Sequence, residues 1–145
     1  MITPKFIAAR VILAGVIALF GMHSVWAGIP IQHWTQPSGV QVYLVHSPAI
    51  PMVDVQIALD AGGRRDPTDK PGLANLMASS TAYGVRAHGN LPALDENALS
   101  DAWADLGASF GGGASADRLS FSLRSLTEPA ILDKAVALAA RSPLR

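Results

Sequence analysis

The sequence predicts an α+β fold, a mainly antiparallel sheet with helices packed on one of its faces. Three observations carry this expectation. From Val53 to Asp60 (VDVQIALD) the pattern has period two, with Val53, Val55, Ile57 and Leu59 on one face of a half-buried strand and Asp54, Gln56 and Asp60 on the other. The stretch Arg118 to Arg124 (RLSFSLR) alternates in the same way and predicts a second such strand. Between and after these lie segments with apolar residues at helical spacing, in the order strand, strand, helix, helix, strand, strand, helix. Consecutive strands with the helices grouped between them favour antiparallel pairing with helices on one side.

Taken in order, the chain begins with a candidate export signal. Lys5 and Arg10 form a positive region, and Val11 to Phe20 (VILAGVIALF) is an uncharged apolar run. Val25-Trp26-Ala27 then supplies the small residues a signal peptidase reads, which predicts cleavage after residue 27. An apolar run of about ten residues falls short of the ~20 a membrane-spanning helix needs. Residues 1–27 are therefore read as a signal peptide and 28–145 as the mature chain, with no membrane association once the signal is removed.

Composition narrows the function. The 145-residue chain has zero formal net charge, with eleven basic and eleven acidic residues, and contains no cysteine. A chain with no net positive charge and no basic run offers little to the phosphates of a nucleic acid. Without cysteine there is no disulfide, no thiolate metal site and no thiol nucleophile. With Lys5 and Arg10 gone, nine basic residues face eleven acidic ones. A mildly acidic, exported, disulfide-free protein fits a bacterial periplasm.

In the mature chain, Val40 to His46 (VQVYLVH) is β-branched and aromatic and predicts the first strand. Val53 to Asp60 follows, then Ala61-Gly62-Gly63 and the charged loop Arg64 to Asp69. The first helix is expected from about Lys70 to Gly84, with Asp69 as its cap, Pro71 in its first turn and Gly84 as its left-handed stop. Its stripe of Leu73, Leu76, Met77 and Ser80 reads as the core-facing side. Asn75, Ala78 and Ser79, at i, i+3 and i+4, share a second face. Asp95 to Leu106 predicts the next helix, with Leu99, Ala102, Trp103 and Leu106 on its apolar side and Gly107 as its stop. Ala108 to Ala114 (ASFGGGA) reads as an extended, flexible or bulged strand, paired with Arg118 to Arg124 through a turn at Ser115 to Asp117. Thr127 is expected to cap a last helix, with Ile131, Leu132, Ala135, Val136 and Ala139 inward.

Several kinds of chemistry are not supported. Gly111-Gly112-Gly113 lacks the Gly-Lys-Ser/Thr ending of a phosphate loop, and no helix follows it. There is no Gly-x-Ser-x-Gly elbow for a serine nucleophile. His33, His46 and His88 each stand alone, without a second His or a carboxylate at the spacing a metal site uses. Asp101 and Asp105 flank an apolar helix stripe and read as a solvated face.

Two stretches nevertheless resemble a known family. Pro51-Met52-Val53-Asp54-Val55, Asp60-Ala61-Gly62-Gly63-Arg64-Arg65-Asp66-Pro67 and Lys70-Pro71-Gly72-Leu73-Ala74 resemble the N-terminal domain of the insulinase/pitrilysin metallopeptidases, the inverzincins. Leu106-Gly107-Ala108, Gly113 to Leu119 and Leu123 to Leu126 are similar to the helix, strand and strand that follow in that family. The likeness covers about residues 30 to 142 and implies a LuxS/insulinase-like metalloenzyme half-domain, incomplete because the chain stops at Arg145 where the family continues. Active members carry His-x-x-Glu-His directly after the Gly-Leu-Ala, two zinc ligands and a general base on one helix. Here those five positions read Asn75-Leu76-Met77-Ala78-Ser79, so both imidazoles and the carboxylate are missing. Neutral amide and hydroxyl oxygens hold zinc poorly, and Ala78 accepts no proton. The family's further glutamate ligand lies beyond Arg145.

The resemblance therefore implies a chain without catalytic residues that binds no cofactor itself, although zinc is expected in catalytic relatives. It implies a zinc-bearing peptidase subunit of the same family as partner, and a peptide or unfolded protein as substrate. Two alternatives stand beside this. One is a metallopeptidase active only with zinc supplied by a partner chain. The other is a truncated gene remnant without function.

Overall fold

A computed structural model describes residues 28–142, so the signal-peptide reading of residues 1–27 lies outside the described residues. The described chain divides at Ser47/Pro48 into two units. The first is a hairpin of β1 (Ile31–Thr35) and β2 (Gln41–Val45), joined through Gly39, whose φ of 86° suits a turn glycine. Ile31 pairs with Val45 and Thr35 with Gln41, and His33 stacks on Tyr43 with ring centroids 4.5 Å apart. β1 has no forerunner in the sequence reading. Its residues IQHWT mix polar and apolar positions, and it becomes a strand because β2 supplies a pairing edge.

The second unit holds β3 (Met52–Leu59), α1 (Leu73–Ser79), α2 (Glu96–Asp105), β4 (Ser109–Ala114), β5 (Leu119–Leu126) and α3 (Pro129–Ala139), with short 3-10 turns at Gly63–Arg65 and Ser80–Ala82. The strands form one antiparallel sheet in the order β3-β5-β4. Leu119, Phe121, Leu123 and Ser125 of β5 alternate inward and are all buried. In register with them lie Leu59, Ile57, Val55 and Val53 of β3 and Ala114, Gly112 and Phe110 of β4. The predicted α+β class, with antiparallel strands and helices, is what the structure shows.

Two clusters form the core. Ala78, Leu119 and Phe121 make one, flanked by Ala61, Phe110 and Ala114. Val85, Leu99 and Leu138 make the other, flanked by Leu94, Ala102, Trp103 and Leu106, which is the apolar side expected of α2. A row of rings, Trp103, Phe110 and Phe121, links them at centroid spacings of 5.9 and 6.2 Å. The helices do not cover the whole inward face. Val55, Ile57 and Leu59 on the edge strand β3 stay 41%, 47% and 41% exposed, so that row is less buried than its alternation predicts.

Several local expectations are corrected. β4 is a regular strand in unbroken register from Ser109↔Arg124 to Ala114↔Leu119, not a bulged one. Thr127 does not cap α3; its backbone N–H donates to Pro51 O at 2.9 Å, and α3 begins from Glu128 without a side-chain cap. In α3 the predicted side is largely kept, with Ala135 buried and Ile131, Leu132 and Ala139 half-buried; the exception is Val136, which is half exposed, while Leu138 is buried in its stead.

The first helix departs furthest from expectation. It spans seven residues rather than about fifteen, and Asp69 does not cap it. Its N-cap is Gly72 at φ 91°, a left-handed conformation that glycine adopts at no steric cost. The capping oxygens come from Asp66, whose carboxylate accepts from Gly72 N–H at 2.8 Å and Ala74 N–H at 3.0 Å. Two orphan donors at a helix start are thereby satisfied from six and eight residues away. Asp66→Ala is expected to cost about 1 kcal/mol, as the loss of a helix cap does, measured as a lowered urea midpoint; an unchanged midpoint would show the carboxylate to be dispensable.

Candidate functional site

The face to examine is the one carrying Asn75, Ala78 and Ser79 on α1. The helix is short because three successive hydroxyls take up its last carbonyls. Ser79 Oγ donates to Asn75 O at 2.9 Å, Ser80 Oγ to Met77 O at 2.7 Å and Thr81 Oγ1 to Ala78 O at 2.9 Å. Side-chain hydroxyls that bond back to the preceding turn compete with continuation of the helix, and here the chain tightens into the 3-10 turn Ser80–Ala82. Gly84, expected to stop the helix, follows at φ 122°.

The side of α1 that faces the core is not the predicted stripe. Leu73, Leu76 and Met77 are 45%, 63% and 36% exposed, whereas Ala74 and Ala78 are buried at 6% and 3%. Thr81 continues that buried line one turn later. The reason is distance. α1 lies directly against β4, where Gly112 carries no side chain, so the contact face must be of small residues. Leucine and methionine are larger than that gap and turn outward.

The three positions therefore have different surroundings. Asn75 and Ser79 are exposed, one turn apart, and the Ser79 hydroxyl is occupied by its own helix. Ala78 sits among Leu119 and Phe121. Asn75 offers an amide, Ser79 a hydroxyl already donating, and Ala78 a methyl group. Among the described residues no three His, Asp or Glu side chains gather where a metal ion could sit. Of the solitary histidines, His33 stacks on Tyr43 in the hairpin, while the backbone of His88 exchanges hydrogen bonds with Leu91 in the second unit. Asp101 and Asp105 are exposed on α2. No helix among the described residues is long and apolar enough to cross a membrane.

The sheet's other face is polar and open. Arg124 holds Asp54 across β3 and β5, with Nε to Oδ1 at 2.6 Å and Nη2 to Oδ2 at 3.1 Å. The hydrogen bond from Arg124 keeps the Asp54 carboxyl below the usual carboxylate range, and Arg65 does the same for Asp60. All four groups stay charged at neutral pH, and as exposed pairs they add little stability. Shallow concavities on this face are lined by Gln56, Ser120 and Ser122 with their neighbours, side chains suited to water.

Two residues that shape the site were passed over in the sequence reading. Asp66 reads in the sequence as part of the charged loop Arg64 to Asp69, and its capping of α1 shows only once that loop folds back onto Gly72 and Ala74. Gly112 was noted only as part of a glycine run, and nothing local shows that a helix rests on it.

No protein-family model matches the sequence, and no curated protein matches it. Among solved structures, the chain is similar to the inactive domain of an M16 peptidase from Pseudomonas fluorescens, at 31% identity and TM-score 0.69 over 78% of this chain. It is also similar to a protease from Helicobacter pylori, at 21% identity and TM-score 0.59 over 79% of this chain. A third likeness is to pitrilysin, at 22% identity and TM-score 0.59 over 83% of this chain. The chain spans 26%, 26% and 12% of those three proteins respectively. The last two likenesses bear on fold alone, and the first agrees with them at higher identity. These neighbours agree with one another: the chain has the insulinase/pitrilysin-like fold of the M16 peptidases.

Proposed function

We propose that this chain is an exported, non-catalytic M16-type domain that serves as a partner subunit or scaffold for a zinc-bearing peptidase of the same fold in a bacterial periplasm. One observation carries the reading. α1 is present and well anchored, yet presents only the Asn75 amide and a Ser79 hydroxyl engaged with its own helix, while Ala78 is buried. These residues do not fit a zinc ion. Zinc takes imidazole, thiolate or carboxylate ligands, and its bound water needs a base within reach. No cofactor is therefore assigned to this chain.

Its part is to form wall and peptide contact beside the partner's metal. Two features support this. Among the described residues β4 is an edge strand, and its outer backbone groups suit pairing with an extended peptide or unfolded segment. The Pseudomonas fluorescens neighbour, itself described as an inactive domain, shows that this fold occurs without activity. The export signal read over residues 1–27 supports the compartment.

The test is zinc content and peptide cleavage of this chain alone, of a zinc-bearing M16 partner alone, and of the co-purified pair. The chain alone is expected to hold no stoichiometric zinc and to cleave nothing, while raising the partner's turnover on an unfolded substrate. Cleavage by the unaccompanied chain with zinc bound one to one would overturn the reading. Zinc present only in the pair, and bridging both chains, would favour the metallopeptidase that borrows its metal.

A further inference from the structure

We propose that residues 84–94 form a finger that opens as a unit of its own, and that Arg141, beyond the end of α3, is the latch that holds it shut. The finger joins the 3-10 turn after α1 to the start of α2. Val85 and Leu94 pair at its base, exchanging backbone hydrogen bonds of 2.8 and 2.9 Å. His88 and Leu91 pair in the same way near its tip, with both bonds at 3.0 Å. Gly84 enters at φ 122°, so close to the returning limb that a methyl group there would lie 2.5 Å from Leu94 O. Gly89, at φ 57°, turns the tip.

These bonds give the finger a shape but do not fasten it to its surroundings. Residues 86–92 are exposed throughout, and only Val85 is buried, against Leu99 and Leu138, with Leu94 half-buried beside it. A hairpin of this size is marginal in water. A segment with few buried apolar contacts and exposed backbone bonds opens before the rest of a domain does. The fastening comes from α3. Arg141 Nη2 donates to Arg86 O at 3.3 Å and also to Pro92 O, one acceptor on each limb of the finger. One side chain, 55 and 49 residues further along the chain, thus staples both limbs together. The staple is not a strong one. Among the described residues no carboxylate pairs with Arg141, and its Nε is buried without an acceptor. A desolvated donor left unpaired costs stability, which sets the latch below what a fully bonded guanidinium would give. The other core cluster, Ala78, Leu119 and Phe121, contains no residue of the finger. The finger therefore leaves its seat without disturbing the centre of the sheet.

Amide hydrogen exchange of the full chain, followed residue by residue at low denaturant concentrations, tests this. In the parent the amides of Val85, His88, Leu91 and Leu94 are expected to share one protection factor, lower than that of the β5 amides and nearly independent of denaturant. R141A is expected to lower all four together by about 10- to 100-fold, the loss of hydrogen bonds from a charged donor. R141K should fall between the two, since an ammonium lacks the planar fork that reaches two carbonyls. The β5 amides should change by less than about threefold, as for a substitution outside their own packing. If R141A fails to fold, the parent and R141K carry the test. Finger amides that exchange only together with β5 in the parent, or four amides with unrelated protection, would overturn the proposal. So would finger protection unchanged on substitution of Arg141, or a drop equal to that of β5, which marks a residue of global stability and not a latch.

Discussion

Phe121→Ala is expected to unfold the sheet-and-helix unit, or to bring it close to unfolding, under conditions where the parent is folded. Phe121 is 1% exposed and among the largest fully buried side chains described. It stands in the central strand opposite Ile57 on one side and Gly112 on the other, with Phe110 stacked beside it and Ala78 above. Removing its ring takes away apolar contact on every side, and α1 cannot settle inward to refill the space because it already touches β4. Substitutions of this kind cost about 3–5 kcal/mol when the cavity stays open, against a total of about 5–15 kcal/mol for an ordinary domain. Chemical denaturation followed by circular dichroism checks it. A loss below about 1 kcal/mol would mean that the core between α1 and the sheet is loose enough to collapse, contrary to the close contact at Gly112.

The second large effect is expected at Gly62 and not at its neighbour. After β3 the chain turns against the β4–β5 connection, where Gly63 N–H donates to Ser115 O and Arg64 N–H to Ala116 O, both at 2.9 Å. At Gly62 a methyl group would lie 2.4 Å from Arg118 N, 2.5 Å from Ala116 O and 2.5 Å from the Asp117 carbonyl carbon. All three atoms are backbone and tied into hydrogen bonds or the strand that follows, so none can swing aside. At Gly63 the nearest atoms are 3.8 Å away. Gly62→Ala is expected to cost about 3 kcal/mol, at the upper end of ordinary overpacking, whereas Gly63→Ala should stay within about 0.5 kcal/mol. Equal midpoints for the two variants would show that the loop adapts, and that the docking of Gly62 on the turn is incidental.

These two substitutions mark where sequence reading succeeds and where it stops. β5 was legible because alternation is a property of neighbours in the chain: Leu119, Phe121 and Leu123 had to share a face whatever lay opposite. The apolar side of α2 was legible for the same reason, since Leu99, Ala102, Trp103 and Leu106 meet no close backbone that would exclude large side chains. α1 was misread because its large apolar residues pointed to one face while the space available admitted only the other. Leu73, Leu76 and Met77 obey helical periodicity, but Gly112, thirty-four residues beyond Ala78, decides which stripe can approach the sheet. Asp66 likewise caps α1 across a loop, where Asp69 stood at the conventional distance.

By itself the sequence determined the class of fold, the order of its elements from β2 onward and the resemblance to the insulinase/pitrilysin peptidases. Each of these follows from residue type and spacing along the chain, which need no tertiary knowledge. Only the tertiary structure decided that Asn75 and Ser79 face solvent while Ala78 is buried, and that α1 sits on β4 with no side chain between them. The cause is steric and non-local. A helix can come this close to a strand only where glycine meets alanine, and the two residues that permit it are brought together by folding, not by sequence.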